Sequence, residues 1–327
     1  MHFLVRLLPP LFLAGFVTVL ISPSPAAEQK PAAKASQANT DDMWNVSPEP
    51  GQLPERVTHH TYRSAAMKRE VGFCLYLPPG YERDPARRYP VIYHLHGAGG
   101  NETRAVFSAQ VLHEGILAGR WPETLMVFPN GGRSTMYQDS ADGRFMAETS
   151  VMRELIPHID ATYRTIANRQ GRCIEGFSMG GRGSTNLAMK FPGAFCSLFN
   201  QSGNVYPVSE MAKDGKPGEY PLNYLGTDPQ RLLDNDAFAN LRKNLAPIKA
   251  GLRIQVACGT ADDGHLKTVR DYHRALLEAG VEHTYFEVEG LDHNQKKLIE
   301  GRRQTWFDFH AESLRLAGAE LHRISGK

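Results

Sequence analysis

The segment Gly176-Phe-Ser-Met-Gly-Gly181 lies between a short apolar run, Arg172 to Phe177, and a stretch of helical spacing over 180–190. Glycines two before and two after Ser178 remove side chains that would clash where a strand turns directly into a helix. A chain with this feature must end a strand and begin a helix within a few residues. That is the joint of an alternating β/α architecture. It also holds the Ser178 hydroxyl at the head of a helix, where the dipole favours developing negative charge.

The remaining pattern agrees. Apolar or β-branched runs bounded by turn residues predict strands at 57–62, 71–77, 90–96, 124–128, 172–177, 195–199, 252–257 and 284–288. Helical spacing predicts helices at about 103–118, 147–163, 180–190, 236–249, 265–279 and 294–315. In the last of these, Leu298, Trp306, Phe309 and Leu314 would share one apolar face. The fold class is therefore α/β, with about eight strands in a mainly parallel sheet and helices on both faces. The first two strands have no helix between them and should form an antiparallel edge. Ligands of such sheets sit beyond the carboxyl ends of the strands. Glycine-rich turns collect there, after the third, fourth and fifth strands.

Upstream of residue 55 the composition changes. Arg6 is the only charge before Glu28, and the apolar run Leu11–Ile21 is too short to span a bilayer comfortably. Small residues follow, Ser22-Pro-Ser-Pro-Ala-Ala27, so residues 1–27 read as an export signal cut after Ala26 or Ala27. The product would be secreted or periplasmic, with no membrane span after cleavage. Residues 28–54, rich in Ala, Pro, Ser, Gln and Lys, read as a flexible linker. Residues 55–327 are left as one catalytic domain. With 37 basic and 35 acidic residues the net charge is +2, which gives no reason to expect a nucleic-acid partner. The four cysteines, Cys74, Cys173, Cys196 and Cys258, sit in apolar runs without metal-ligand spacing and are expected to be buried thiols.

A serine hydroxyl needs a base, and the base needs an orienting carboxylate. Gly259-Thr-Ala-Asp-Asp263 follows the seventh strand and Glu289-Gly-Leu-Asp-His293 the eighth. Ser178, Asp262 and His293 thus form a candidate triad, with Asp263 a rival acid and His265 a rival base. An oxyanion would be held by the backbone N–H of Met179 and one from the His96–Gly100 turn. Ala98 is the first choice there and Gly99 its neighbouring alternative. No cofactor is required by this set.

Five pieces, Leu95-His-Gly97, Gly176-Phe-Ser-Met-Gly-Gly181, Phe191-Pro-Gly-Ala-Phe195 with Ser202-Gly203, Gly259-Thr-Ala-Asp262 and Gly290-Leu-Asp-His293, span about residues 68–310. Together they resemble the esterase family of α/β-hydrolases that includes feruloyl and acetyl xylan esterases, S-formylglutathione hydrolases, enterochelin-esterase-like proteins and mycolyltransferases. The resemblance implies an α/β-hydrolase fold, a cofactor-free serine mechanism and ester substrates, small or on acylated carbohydrate. It leaves an acyltransferase or a non-catalytic binding module as alternatives. Ser134-Thr-Met-Tyr-Gln-Asp139 resembles the family's Tyr-x-Asp stretch beside the active site, which makes Tyr137 and Asp139 substrate-contact candidates. Two residues depart from the family pattern, Glu175 and His94. Glu175 could pair with a neighbour or reach the pocket. His94 and His96 would share a strand face, but no third ligand is evident, so no metal is expected. Tyr206, Tyr220 and Tyr224, in the Gly- and Pro-rich insert 204–235, could line a pocket or pin the insert to the body.

Overall fold

The computed structural model describes residues 43–325. The expected export signal, and the expected linker up to residue 42, lie outside them. Eight strands are present: β1 (Val57–Ser64), β2 (Arg69–Tyr76), β3 (Val91–Leu95), β4 (Leu125–Pro129), β5 (Arg172–Phe177), β6 (Ser197–Gln201), β7 (Arg253–Gly259) and β8 (Thr284–Val288). They form one sheet in the order β1-β2-β4-β3-β5-β6-β7-β8. The β1–β2 and β2–β4 pairs are antiparallel and the rest parallel, as the missing helix between β1 and β2 requires.

The helices are α1 (Phe107–Leu117), α2 (Ala147–Thr149), α3 (Ile156–Thr162), α4 (Met179–Lys190), α5 (Val208–Asp214), α6 (Leu222–Leu225), α7 (Pro229–Asp234), α8 (Ala237–Lys243), α9 (Leu245–Lys249), α10 (Leu266–Glu278), α11 (Gln295–Gly301) and α12 (Asp308–Ser325). Both sheet faces are covered. Val91, Tyr93 and Leu95 of β3 join one core with Leu187 of α4 and Leu276 of α10. Ile92 joins the other with Val111 of α1, Leu298 of α11 and Trp306. Among the described residues, no helix is long and apolar enough to cross a membrane.

Three of the expected helices are broken. A π-helical turn, Ser150–Leu155, separates α2 from α3 just before Pro157, which has no N–H to donate and crowds the carbonyl four residues back. Pro247 likewise divides 236–249 into α8 and α9. Gly301 closes α11, so 294–315 is two helices rather than one. The insert 204–235 contains α5, α6 and α7 around a small core of Val208, Leu225 and Leu232.

The linker expectation is corrected where it can be seen. Trp44 is fully buried, and its carbonyl accepts the Gly72 N–H at 2.6 Å. Residues 43–46 are docked on the body because one large aromatic ring finds a cavity there. All four cysteines are buried thiols, with Cys173 Sγ and Cys196 Sγ 3.8 Å apart.

Candidate active site

Ser178 stands between β5 and α4 with φ +57°, a left-handed conformation that an L-residue adopts only under constraint. The constraint is close packing of backbone. A Cβ on Gly176 would lie 2.4 Å from the Gly180 carbonyl carbon, and one on Gly180 would lie 1.9 Å from the Leu95 carbonyl oxygen. The Ser178 N–H donates to Gln201 O at 2.9 Å, and its own carbonyl accepts from Arg182 N at 2.9 Å. Its side chain makes no capping bond to α4, so the hydroxyl stays available.

Asp262, 2% exposed, ends the turn after β7. Its Oδ2 lies 2.6 Å from His293 Nδ1, and its Oδ1 lies 2.8 Å from His265 Nδ1. Burial alone would raise this carboxyl. The hydrogen bond from His293 and the charges of both imidazoles outweigh it and hold the group below the usual carboxylate range. His293 packs against Phe177, the residue before the serine, with ring centroids 4.5 Å apart. Asp263 is exposed and makes no such bond, so the rival acid is set aside on geometry. His265, the rival base, is a second imidazole on the same carboxylate. Its ring stacks on His293 with centroids 3.9 Å apart and planes 7° from parallel. Burial and the His293 charge lower its pKa against the pull of Asp262. Sequence position three residues after Asp262 was the only sign of this contact.

The turn after β3 decides between two amides. Gly99 N–H donates to Arg133 O at 2.7 Å, and Gly100 N–H to Gly97 O at 3.1 Å. Among the described residues the Ala98 N–H has no acceptor. Gly97 lies against the serine, since a Cβ there would be 3.5 Å from the Ser178 Cβ. Met179 N–H is the first amide of α4 and has no acceptor inside the helix.

His96, unassigned from sequence, braces this turn. Its Nε2 accepts the Gly131 N–H at 3.1 Å and its Nδ1 lies 2.9 Å from its neighbour's carbonyl, Gly97 O. Burial is the main cause that brings its pKa down to about 4, despite the Gly97 bond, so the ring is neutral. With both nitrogens engaged, it shares no metal site with His94.

Tyr137, Asp139 and Glu175 each have partners within the fold. Tyr137 is fully buried, wedged where a Cβ on Gly131 or Gly183 would meet its ring at 2.1 or 2.5 Å. Its hydroxyl is engaged by the His96 N–H at 2.8 Å. It supports the turn from below. Asp139 binds Thr149 N and Oγ at 3.0 and 2.5 Å, which ties the β4 loop to α2. Glu175 is fully buried beneath the sheet's carboxyl edge. It meets His94 Nδ1 at 2.5 Å, Gln201 Nε2 at 3.0 Å and His310 Nε2 at 3.2 Å. Tyr137 and Glu175 thus point into the body, Glu175 pairing with its neighbours, while Asp139 is half-buried beside Glu148 and Lys190. The insert tyrosines pin rather than line. Tyr220 and Tyr224 donate to Gln138 Oε1 and O, both at 3.0 Å, and Arg182 lies over the rings of Tyr206 and Tyr220.

With this geometry the comparisons with known proteins are decisive for family. Residues 64–311 match the model of the family described as "Putative esterase". The chain belongs to that family. It is 32% identical over 151 residues to Esterase Rv1288 of Mycobacterium tuberculosis, a match covering 45% of this chain and 32% of that one. It is 31% identical over 154 residues to an endo-1,4-beta-xylanase/feruloyl esterase of Xylanibacter ruminicola, covering 45% of this chain and 21% of that one. The matched region thus spans a third or less of these curated relatives. A solved ferulic acid esterase superposes with a TM-score of 0.66 at 23% identity, over 79% of this chain and 98% of that one. The fold is that of the α/β-hydrolases.

Proposed function

We propose that this protein is a serine carboxylic-ester hydrolase working through an acyl-enzyme. The observation that carries the reading is the Asp262–His293 pair at 2.6 Å, its imidazole packed on Phe177, the residue before a serine held at φ +57°. Asp262 accepts the Nδ1–H of His293, which leaves the Nε2 lone pair to take the Ser178 proton. Ser178 Oγ then attacks the ester carbonyl. The Ala98 and Met179 amides hold the oxyanion in the tetrahedral intermediate. His293 passes its proton to the leaving alkoxide, and water resolves the acyl-enzyme by the same steps in reverse. Relatives whose names include xylanase and feruloyl esterase support acylated carbohydrate, such as feruloyl or acetyl esters, as the substrate class. Residues 1–27 serve export in this proposal. A secreted product beginning at Ala27 or Glu28 would match it.

Hydrolysis of p-nitrophenyl acetate by the wild type and by Ser178→Ala tests the reading. Turnover by the wild type alone supports it. A folded wild type inert on acetate and longer esters overturns it. An added sugar alcohol in the same assay separates hydrolysis from acyl transfer.

A further inference from the structure

The β8 edge of the sheet carries polar groups that ester hydrolysis does not use. β8 is the last strand of the sheet, and α12 is held to β6, where His310 Nδ1 meets Ser197 Oγ at 2.7 Å. Beside that helix the first residues of β7 and β8 floor a cavity of about 370 Å³, a size typical of small-ligand sites. Gln255 is the ladder partner of Thr284, so Arg253, Gln255, Thr284 and Phe286 share one strand face, and all four line the cavity. A second cavity, of about 600 Å³, adjoins it at Arg253 and runs toward Lys249.

A sheet face under a helix is ordinarily apolar, and this one is not. Gln255 is 9% exposed, yet its amide has no hydrogen-bond partner among the described residues. Arg253 and Arg302 have no carboxylate within ion-pair distance among those residues. Aromatic rings hold them instead: Arg253 Cζ lies 5.8 Å from the Phe309 centroid, and Arg302 Cζ 4.1 Å from that of Phe286. Stacking orients a guanidinium without occupying its N–H donors. Arg253 Nη1 is buried with no acceptor, so the fold does not satisfy this side chain. Both carboxylates at the rim are engaged elsewhere. Glu312 feels the charge of Arg253 but takes Arg315 on both oxygens at 2.8 Å, and Asp308 accepts the Trp121 N–H at 2.7 Å. Two oriented guanidinium groups match a planar oxyanion. The free amide of Gln255 and the Thr284 hydroxyl match the hydroxyls of the same ligand.

We infer that this cavity binds a carboxylate-bearing saccharide. Arg253 and Arg302 supply the cationic donors for the carboxylate, Gln255 and Thr284 hold hydroxyls, and the adjoining cavity gives room for the next sugar. That the ligand is a saccharide rests on the acylated-carbohydrate reading; that it is an oxyanion does not. Gln255 stands four residues before Gly259, about 13 Å along β7 from the turn that carries Asp262. The site therefore anchors an acidic polymer at a distance from the ester that is cleaved.

The test is calorimetric titration of the full chain carrying Ser178→Ala with trigalacturonate, with the neutral trimer cellotriose and with inorganic phosphate. One site per chain is expected for trigalacturonate, about tenfold or more tighter than for cellotriose and weakened by added sodium chloride. Arg253→Gln and Arg302→Gln should each weaken it about tenfold, the loss of one charge-assisted hydrogen bond. Arg274→Gln is the control, an exposed cation of α10, which packs on the opposite face of the sheet. Nitrogen-15 spectra of arginine Nε in the unmutated chain give a readout free of folding defects: trigalacturonate should move two Nε–H signals. In an otherwise wild-type chain, Arg253→Gln should leave p-nitrophenyl acetate turnover unchanged. No binding, cellotriose bound as tightly, or affinity indifferent to both substitutions overturns the site. Phosphate bound in preference to trigalacturonate overturns the carboxylate assignment. An unmutated chain inert on esters that still binds trigalacturonate through Arg253 overturns the hydrolase reading alone.

Discussion

Asp262 and Asp263 are neighbours in the chain with opposite surroundings, and the contrast makes a sharp test. Asp262→Asn would present an amide to His293 and favour the wrong tautomer, so kcat on p-nitrophenyl acetate should fall about 10⁴-fold. Asp263→Asn alters an exposed side chain and should leave kcat/KM within about twofold. Equal losses in the two variants would overturn the assignment. Backbone crowding gives a second residue-scale expectation. Gly180→Ala places a Cβ 1.9 Å from the Leu95 carbonyl oxygen, and backbone on both sides cannot step aside. Urea unfolding should show a loss of about 3 kcal/mol or more; an unchanged midpoint would mean that the elbow relaxes freely. Ser178 was legible in the sequence because the turn's demand for glycine is local and leaves a spacing in the chain. The partners of Tyr137 and Asp139 were not legible, because a motif match places a residue near a site without saying which way its side chain points. The second role of Asp262 was hidden for a related reason. His265 reaches it only because the chain turns at the head of α10.

Glu175, from β5, ties five elements together beneath the active edge. His94 comes from β3, Gln201 from β6 and His310 from α12. Gln295, the first residue of α11, donates to His94 Nε2 at 2.8 Å. Gln295 lies two residues beyond His293, so this buried network fixes the segment that carries His293. Burial would raise the Glu175 carboxyl, but the pull of His94 and the hydrogen bonds from His310 and His94 outweigh it and hold it at about 2. The folded pKa is depressed, so the stabilisation is complete above the ordinary glutamate value of about 4.3 and is lost as pH falls toward 2. Glu175→Gln sets an amide N–H₂ among donors and should cost about 3 kcal/mol at neutral pH. Urea titrations from pH 7 to 2.5 should show the gap between wild type and variant closing below about pH 4.5. A gap constant with pH would mean that the carboxylate charge is irrelevant. At this scale the strands were legible, because each is a short apolar run with turn residues at its ends. Helix breaks at Pro157 and Pro247 were signalled by the prolines themselves, but apolar spacing continued through both and masked them. The helices of the insert were missed because α6 and α7, at 4 and 6 residues, are too short to show a period.

The docked N-terminal arm bears on the molecule as a whole, because it reaches the turn that carries the Ala98 amide. Val46 N–H donates to Glu102 Oε1 at 2.7 Å, and the same carboxylate holds His59 at 3.0 Å and Asn130 at 2.5 Å. Glu102 is buried two residues past Gly100, and Asn130 in turn donates to Met43 O at 2.8 Å. Trp44 fills the space over Gly132, where a Cβ would stand 2.7 Å from its ring, and lies 6.3 Å from the Phe145 ring. The arm, the edge strands and the loops after β3 and β4 are therefore one polar and apolar unit. Average composition over 28–54 concealed this, since a single tryptophan scarcely changes the mean yet supplies the anchoring surface. Trp44→Ala removes a fully buried ring and should cost about 3–5 kcal/mol. The distinguishing consequence is kinetic. If the arm holds the turn in place, the variant assayed well below its melting temperature should lose kcat as the Ala98 amide drifts from the oxyanion, with KM for a small ester little changed. Stability lost with kcat intact would make the arm a clasp on the fold and no part of the catalytic support.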